Sequence, residues 1–352
     1  MAKVSLVVSV YNVSRYVERC VRSLFEQTLE DVEFVFVDDG STDGSMDIVL
    51  RVLEEYPNRK GQVEIIRHAS NMGTAATKHD GMLAARGEYV LVVDSDDYVE
   101  RNMAELLYGK AIEEKADMVL CEMYCYRYDG SRYAKALDVT IDDNKSLLKQ
   151  IVNRAMTPSL STKLIKKDII REEEFVWPSN DYAEDMVISV QTVWLSGKIA
   201  TVPVPLYHYC YNLDSICNNV DDEHLLERYK EFKANVDLIM AMLKKRGLEH
   251  ECGEGMYSMS VYVKSSLLPL VGQAKYRKLW LKTYPEMNRV IFFGNEYHHS
   301  RIREKIWFLS IVLGLYRVMH GCLIGKRLAM GGGWYSGAVT LERQYRRSDK
   351  RT

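Results

Sequence analysis

Apolar runs and amphipathic stretches alternate along the first hundred residues. The runs 4–10, 33–37, 63–67 and 90–94 are rich in Val, Ile, Leu and Phe, which is typical of strands buried inside a sheet. Apolar side chains at helical spacing follow the first run, and Ser14 stands where a helix cap is expected. Strands that alternate with helices in this way predict an α/β fold with a doubly wound, mainly parallel sheet flanked by helices.

The later part of the chain is predicted to be helical. Residues 222–246 place apolar side chains on one side of a long helix, and 257–268 and 274–284 follow as shorter helices. The predicted organisation is an α/β domain over 1–220, a helical extension over 221–297 and a basic amphipathic tail over 298–352.

The composition is that of a folded cytosolic protein. Of the 352 residues, 47% are hydrophobic and 27% are charged, which excludes a disordered chain. The seven Cys are scattered without a C-x-x-C pair, so we expect reduced thiols and neither a disulfide framework nor a zinc site. The first strand begins directly after Lys3 without the layout of a signal peptide, which predicts a cytoplasmic location.

The tail and the body carry opposite charges. Residues 298–352 hold eleven Lys or Arg against three Asp or Glu. Since the whole chain has a net charge of −2, the body (residues 1–297) is strongly negative. The apolar run 306–316 is shorter than the roughly 20 residues that span a bilayer, and it suits a helix in the interface of an anionic membrane. A buried core helix and an oligomer contact are the alternatives. No nucleic-acid-reading module accompanies the tail, so nucleic acid is not an expected partner.

Two of the predicted strands end in acidic residues. Asp38 and Asp39 follow the second strand, and Asp94, Asp96 and Asp97 follow the fourth. In a parallel sheet these ends lie at the edge where ligands bind. Carboxylates this close repel one another unless a cation neutralises them, so a divalent metal is the expected partner. The alternative is a solvated turn that caps the next helix.

Phosphate-binding loops of the common kinds do not occur in the sequence. No G-x-G-x-x-G follows the first strand, and the chain contains no G-x-x-x-x-G-K-[ST]. A metal held by the second acidic cluster would instead neutralise the phosphates of a nucleotide ligand.

Five short segments stand out in order along this part of the chain: 4–12, 37–43 (Val-Asp-Asp-Gly-Ser-Thr-Asp), 71–73 (Asn-x-Gly), 87–90 and 94–97 (Asp-Ser-Asp-Asp). As a set, and at this spacing, they resemble the successive motifs of the family 2 glycosyltransferases, inverting enzymes of the GT-A fold. The resemblance implies a Rossmann-like, mainly parallel GT-A domain, here followed by a helical C-terminal extension.

The resemblance also implies a role for each acidic residue. Asp39, with Asp38 beside it, would bind the base and ribose of a nucleotide sugar, which is expected to be UDP-linked. Asp94 would contact the ribose or the sugar, and Asp96 would hold Mn²⁺ or Mg²⁺ on the diphosphate, leaving Asp97 as a supporting or capping acid. Further donor contacts are expected from Val10, Tyr11, Asn12, Lys78 and Ser95.

The chain departs from the family pattern at three places. Ser9 stands where the family usually has Pro, and Lys78 and His79 stand where the third helix usually has Arg and Asn. Ser161 stands where the family's W-x-K-L segment has Trp. Lysine supplies the charge of arginine but not its planar fork, so the contact with the nucleotide at Lys78 is expected to differ in geometry.

Glu184 and Asp185 precede a stretch with the apolar spacing of a helix. They resemble the family's Glu-Asp motif, in which the Asp is the general base that takes the proton of the acceptor hydroxyl. The alternative is structural, because the helix macrodipole alone favours acids in the first turn.

Aromatic residues flank the Glu-Asp motif. Trp177 and Tyr182 are expected either to stack on a sugar or to pack as core. Tyr207-His208-Tyr209 and Ser215-Ile216 resemble the family's late Tyr-x-Tyr and Ser-Ile stretch. His208 is a candidate second metal ligand, with a packed core histidine as the alternative.

The resulting prediction is a metal-dependent inverting glycosyltransferase. It would move a sugar from a nucleoside-diphosphate sugar to a hydroxyl of a glycan or lipid-linked acceptor in cell-surface polysaccharide synthesis, as a peripheral protein on the cytoplasmic face of the membrane. A sugar-nucleotide-binding or scaffold protein without catalysis is one alternative. A nucleotidyltransferase is another, although residues 10–14 do not resemble the Gly-rich, basic loop that such enzymes carry after the first strand.

Overall fold

The computed structural model of the chain describes most of residues 2–288 and a few beyond. The Ser215-Ile216 segment lies outside the described residues, and so does most of the predicted tail, including the cations around its apolar run. The described residues are 2–127, 129–137, 144–153, 156–171, 173–212, 221–288, 309 and 311–314.

A mixed sheet forms the core of the first part of the chain. Strand β1 (Val4–Val10) pairs in parallel with β2 (Val32–Asp38) on one side and with β4 (Tyr89–Asp94) on the other. Strand β3 (Val63–Arg67) extends the sheet in parallel beyond β2. These four parallel strands confirm the α/β class that the alternating pattern predicted.

The sheet continues past β4 with strands of mixed direction. Strand β8 (Lys163–Lys166) pairs antiparallel with both β4 and β6 (Met118–Tyr126). Strand β9 (Ile199–Tyr209) is parallel to β6, and the short β5 (Tyr98–Val99) pairs antiparallel with β9. The order is β3-β2-β1-β4-β8-β6-β9-β5, and β7 (Arg132–Lys135) pairs with β6 to one side.

Helices cover both faces of the parallel strands. Apolar side chains of the first, second and fourth helices pack on one face, and the third helix approaches the other face so closely that Gly81 lies against Val7 and Val37. A Cβ at Gly81 would lie 2.5 Å from a Val7 methyl, so this close approach requires glycine. The helices are α1 (Val17–Phe25), α2 (Ser45–Glu55), α3 (Thr74–Ala84), α4 (Met103–Glu114), α5 (Asn144–Val152), α6 (Glu184–Leu195), α7 (Asp222–Lys245), α8 (Gly253–Ser266) and α9 (Ala274–Lys282).

The predicted cap at Ser14 is wrong. Helix α1 begins at Val17, and Tyr16 precedes it without a side-chain cap. The Ser14 backbone N–H instead donates to Asp43 Oδ2 across 2.9 Å. Asp43 thereby joins the loop after β1 to the loop after β2, and these hydrogen bonds help to lower its pKa to about 2 even though burial acts in the opposite direction.

The described residues fall into two compact units, and the predicted division at residue 220 stays a prediction. The first unit comprises the described residues within Met1–Asn212 and Ala234–Met256, and the second comprises those within Leu213–Lys233 and Tyr257–Thr352. The middle of α7 belongs to the first unit because the buried Asn235 side chain donates to the backbone oxygens of Asn180 and Tyr182, at 2.9 and 3.0 Å.

The second unit has a buried lysine of its own. Lys264 donates to the backbone oxygens of Trp280 and Thr283, at 2.8 and 2.5 Å. Burial lowers the pKa of Lys264 to about 7. No helix in the described part of the chain has both the length and the apolar character needed to cross a bilayer.

Candidate active site

The two acidic clusters lie at one edge of the sheet, as the parallel arrangement predicted. In the strand register Val10 is opposite Asp38, and Ser9 is opposite Asp94. The carboxyl end of β1 therefore lies between the ends of β2 and β4. This edge is where parallel α/β sheets bind ligands.

Asp39 is held rigidly at the end of β2. Its Oδ1 accepts from the Met72 backbone N–H at 2.8 Å, and its Oδ2 accepts from the Gly73 N–H at 2.9 Å. The His68 ring bridges Asp39 and Asp80, at 2.7 and 3.1 Å. Burial would lower the pKa of His68, but the hydrogen bonds to the two carboxylates outweigh it and raise the pKa. Asp39 is thus fixed by the loop that leads into α3.

Asp38 and the loop after β1 complete this side of the edge. Asp38 is buried, and its Oδ1 accepts from the Ser41 backbone N–H at 2.9 Å. Asn12 adopts a left-handed conformation with φ +50°, and its Oδ1 accepts from the Thr42 N–H at 2.9 Å. Tyr11 is 45% exposed, whereas the Val10 side chain is buried in the core. Of the predicted donor contacts here, Val10 can therefore offer only its backbone.

Asp94 lies at the end of β4 beside two hydroxyl groups. Its Oδ2 accepts from Ser161 Oγ at 3.0 Å and lies 3.5 Å from the Tyr207 hydroxyl. Burial raises the pKa of Asp94, with the Lys78 ammonium opposing the rise and the charges of Asp185 and Asp96 adding to it. Ser161 thus joins the end of β4 to the segment whose Leu160 backbone N–H lies 3.4 Å from Asp185 Oδ2.

Asp96 and Asp97 face different surroundings. Asp96 is partly exposed, and its Oδ2 accepts from Asn212 Nδ2 at 2.8 Å. Asp97 is buried and accepts from the Tyr207 hydroxyl at 2.5 Å and from the Cys210 N–H at 2.6 Å. Burial and the neighbouring acids raise the pKa of Asp97 well above its usual value. Asp97 therefore supports the loop, whereas Asp96 is open to a ligand.

His208 does not join the acidic cluster. Its ring stacks on Tyr98 with centroids 4.0 Å apart. Its Nε2 lies 2.9 Å from Glu100 Oε1, and its Nδ1 lies 3.1 Å from the Tyr126 hydroxyl. Because both ring nitrogens have hydrogen-bond partners, the geometry favours the packed core histidine over the predicted metal ligand.

Asp185 and Glu184 open helix α6, as the sequence predicted. Ala183 precedes them with φ +72°, and the Asp185 side chain keeps 22% of its surface exposed. Glu184 is more deeply buried, and burial raises its pKa to about 7, with Lys78 opposing the rise and Asp185 adding to it. The two neighbouring acids therefore differ in their exposure to an incoming ligand.

Lys78 reaches this pair from helix α3. Its Nζ lies 2.7 Å from Glu184 Oε1 and 2.5 Å from Asp185 Oδ1, and the residue is 3% exposed. Burial would lower the pKa of Lys78, but the charges of Asp185, Glu184 and Asp94 outweigh it and raise the pKa well above its usual value. The residue predicted to contact the nucleotide is directed at the Glu-Asp motif.

The loop before α6 is tied to α3 at a second point. Asp181 Oδ1 accepts from the Ala75 N–H at 2.9 Å, which satisfies a donor at the start of α3. A Cβ at Gly73, whose φ is +94°, would lie 2.7 Å from Asp181 Cγ, so glycine is required there. Gly73 thus connects the loop that holds Asp39 with the loop that carries Asp185.

The two flanking aromatics differ in their surroundings. Trp177 is partly exposed and packs against the His79 ring with centroids 4.9 Å apart, edge to face, and against Phe175. Tyr182 is also partly exposed. Their predicted contact with a sugar stays a prediction.

Sequence reasoning missed four residues that build this site. Ser161 stood out only as a departure from the family pattern, and Tyr207 only as part of the Tyr-x-Tyr stretch. Asp181 and Asn235 carried no signal, because their partners are backbone groups far away in the chain.

The sequence matches the family described as glycosyl transferase family 2 over residues 5–173. Glycosyltransferase GlyG of Streptococcus pneumoniae serotype 4 (strain ATCC BAA-334 / TIGR4) is 32% identical over 219 residues, which are 58% of this chain and 70% of GlyG. EpsH of Bacillus subtilis (strain 168), which is named as a glycosyltransferase, is 31% identical over 220 residues, 60% of this chain and 62% of EpsH. The chain therefore spans less than two thirds of the length of EpsH.

A solved structure has the same fold. The crystal structure of S. aureus TarS 1–349 in complex with UDP-GlcNAc superposes with a TM-score of 0.65 over 95% of this chain and 93% of that chain, at 18% identity. This likeness is one of fold alone, and it confirms the predicted GT-A class with its helical C-terminal part. Together the family match and the identity to GlyG show that the chain belongs to glycosyl transferase family 2.

Proposed function

We propose that the chain is an inverting glycosyltransferase that moves a sugar from a UDP-sugar to a hydroxyl of a glycan or lipid-linked acceptor. One observation carries this proposal: the Glu184-Asp185 pair lies beside the acidic edge of the sheet, because the adjacent residues Leu160 and Ser161 contact Asp185 Oδ2 at 3.4 Å and Asp94 Oδ2 at 3.0 Å. Family membership supports the reaction class. The complex of TarS with UDP-GlcNAc supports a UDP-linked donor.

Asp185 is the proposed general base. Inverting transfer needs a base on the face of the sugar opposite the leaving group, and Asp185 combines partial exposure with a fixed position at the start of α6. The acceptor oxygen bonds to the anomeric carbon as its proton passes to Asp185. The bond between that carbon and the diphosphate oxygen breaks, and UDP leaves with the electron pair.

Donor binding is assigned to the ends of β2 and β4. A carboxylate oxygen can accept more than one hydrogen bond, so Asp39 Oδ2, which accepts from Gly73, can also accept from the N–H of a uracil base. Asp38, Tyr11, Asn12 and Ser95 lie at or beside the same edge and remain candidates for further donor contacts. Asp94 accepts from Ser161, whose neighbour Leu160 contacts Asp185, and this position suits a contact with the sugar or ribose.

The residues present fit a divalent cation bound together with the donor. Asp96 is partly exposed and, with Asp94, offers the carboxylate oxygens that Mn²⁺ and Mg²⁺ prefer. An ion bound together with a nucleotide is commonly held by one or two carboxylates and by the substrate phosphates. Such an ion would offset the negative charge that develops on the departing diphosphate.

Peripheral attachment to the cytoplasmic face of the membrane is proposed from sequence alone. The net positive charge and the apolar run of residues 298–352 support an interfacial helix that meets anionic lipid. Flotation of the full chain and of a chain truncated before Arg301 with anionic liposomes tests it. We expect only the full chain to float, and equal partition would contradict the proposal.

The proposed function is tested by incubating the protein with UDP-, GDP- and dTDP-sugars, with Mn²⁺ or with chelator. We expect UDP-sugars with Mn²⁺ to raise the melting temperature most, because a ligand that binds only the folded state stabilises it. UDP release, with the sugar passing to water or to an added glycan or lipid-linked acceptor, should then occur with Mn²⁺ and stop with chelator. The new anomeric centre should have the inverted configuration by NMR. Binding of a UDP-sugar without any release would favour a binding or scaffold protein, and retention of configuration would contradict the inverting mechanism.

A further inference from the structure

Lys78 is a buried cation with both carboxylates of the Glu-Asp motif in contact. The distances from Nζ are 2.7 Å to Glu184 Oε1 and 2.5 Å to Asp185 Oδ1, and 106 and 107 residues separate the partners in sequence. Charge-assisted hydrogen bonds of this kind are short and directional, so they fix the groups they join.

The two oxygens of Asp185 differ in their partners. Oδ1 accepts from Lys78, whereas Oδ2 has the Leu160 backbone N–H at 3.4 Å, near the limit for a hydrogen bond. The carboxylate is thus held firmly through one oxygen. The other oxygen is the one suited to accept a proton from an acceptor hydroxyl.

The backbone around Asp185 is held by other residues. Asp181 is bound to the start of α3, and Asn235 donates to the backbone oxygens of Asn180 and Tyr182. These contacts fix the path of the loop but do not reach the carboxylate of Asp185. The orientation of that side chain therefore depends mainly on Lys78, with the longer contact from the Leu160 N–H as a weaker second support.

We propose that Lys78 is a positioning residue of sugar transfer, which holds Asp185 through Oδ1 so that Oδ2 faces the acceptor hydroxyl, and that it does not bind the nucleotide. This inference rests on the proposed function. It differs from the expectation that Lys78 replaces the family's arginine in a contact with the donor. Because the surrounding carboxylates raise the pKa of Lys78 well above its usual value, Lys78 keeps its proton and takes no part in the proton transfer itself.

The test compares Lys78→Met, Lys78→Gln and Lys78→Arg with wild type. Each protein is assayed for UDP affinity by calorimetry and for kcat and donor KM with the UDP-sugar that wild type turns over. Lys167→Met is the matched control, because Lys167 is also buried but donates to the backbone oxygens of Met82 and Leu83 at the far end of α3. Circular dichroism checks folding, and Lys78→Gln, which keeps a hydrogen-bond donor, serves if the Met variant is unstable.

We expect Lys78→Met and Lys78→Gln to lower kcat by about 100-fold, since a misplaced catalytic group can cost that much. Donor KM and UDP affinity should stay within about threefold of wild type, as expected when only an interaction made in the transition state is lost. Lys78→Arg should recover most of the activity because it restores charge and donors, and Lys167→Met should keep the kcat of wild type.

Two results would overturn the proposal. In the first, the UDP affinity of Lys78→Met falls by as large a factor as its kcat, which would make Lys78 a donor ligand. In the second, Lys78→Met is folded and has the kcat of wild type. Failure of the proposed function would appear separately, as wild type that releases no UDP from any UDP-sugar. In that case calorimetry with UDP still tests Lys78. Loss of UDP binding in Lys78→Met, with binding kept in wild type and in Lys167→Met, would show that Lys78 is a donor ligand and not a positioning residue.

Discussion

The Ser161 hydroxyl donates to Asp94 Oδ2 across 3.0 Å, although 67 residues separate the two in sequence. The contact exists because β8, which follows the short 3₁₀ turn Leu160–Thr162, lies antiparallel beside β4. Ser161, which stands where the family usually has tryptophan, thus donates a hydrogen bond to Asp94, the acid that we assign to binding of the nucleotide sugar.

Replacing Ser161 by alanine should weaken the binding of the UDP-sugar. Asp94 Oδ2 would lose the hydrogen bond from Ser161, and the Tyr207 hydroxyl 3.5 Å away directs its single hydrogen to Asp97 at 2.5 Å. A hydrogen bond to a charged group contributes about 1.5–3 kcal/mol, so we expect donor KM to rise by about tenfold or more. Ser131→Ala is the control, because Ser131 lies in the exposed turn between β6 and β7. This variant should bind the donor as wild type does. Equal donor KM in the two variants would show that Ser161 does not support donor binding.

Glu184→Gln should change how stability depends on pH. The pKa of Glu184 is raised to about 7 in the folded protein, against an ordinary value of 4.5. The stability that its protonated form contributes is therefore present below pH 4.5 and is lost as pH rises through 7. Glutamine does not titrate. The unfolding free energy of Glu184→Gln relative to wild type should therefore rise by about 2 kcal/mol between pH 5 and pH 8. Urea unfolding of both proteins at the two pH values measures this, and a difference that does not change with pH would refute it.

Gly73→Ala should destabilise the site and the protein together. The new Cβ would overlap the Asp181 carboxylate, and the backbone has φ +94°, which L residues rarely adopt. We expect a loss of about 2 kcal/mol or more of unfolding free energy and weaker UDP binding, because Gly73 also donates to Asp39. Gly61→Ala has open space around the new Cβ and is the matched control. Similar stability of the two variants would contradict this geometry.

Asp96→Asn should abolish the effect of Mn²⁺ on donor binding. An amide oxygen is a weaker ligand for a hard cation than a carboxylate, and Asn212 can still bond to the side chain at this position. In wild type Mn²⁺ should tighten UDP binding by about tenfold or more, and in the variant by less than about twofold. Calorimetry with UDP, with Mn²⁺ and with chelator, gives both ratios. Equal Mn²⁺ effects in the two proteins would remove Asp96 from the metal site.

The sequence predicted the parts of the site that depend on local pattern. Apolar runs that end in Asp38-Asp39 and in Asp94 fixed the expected strand ends, and parallel pairing placed them together. Glu184-Asp185 begins a helix as expected, because acids in the first turn are favoured by the helix dipole.

The remaining contacts depend on how distant segments meet. The contact of Ser161 with Asp94 follows from the insertion of β8 next to β4. The contact of Lys78 with Asp185 follows from the packing of α3 on the loop before α6. No local pattern specifies either arrangement. The surroundings of His208 depend on distant segments in the same way, since β5 pairs with β9 and the His208 ring stacks on Tyr98.

Asp185→Asn tests whether Asp185 is the general base of sugar transfer. The amide keeps an oxygen for Lys78 and nearly the same shape, but it cannot take a proton from an acceptor hydroxyl. We expect Asp185→Asn to bind UDP as wild type does. Its kcat for transfer from a UDP-sugar should be lower by about 1,000-fold, within the range for loss of a general base. Transfer by folded Asp185→Asn within a few-fold of wild type, in the same assay, would contradict the account.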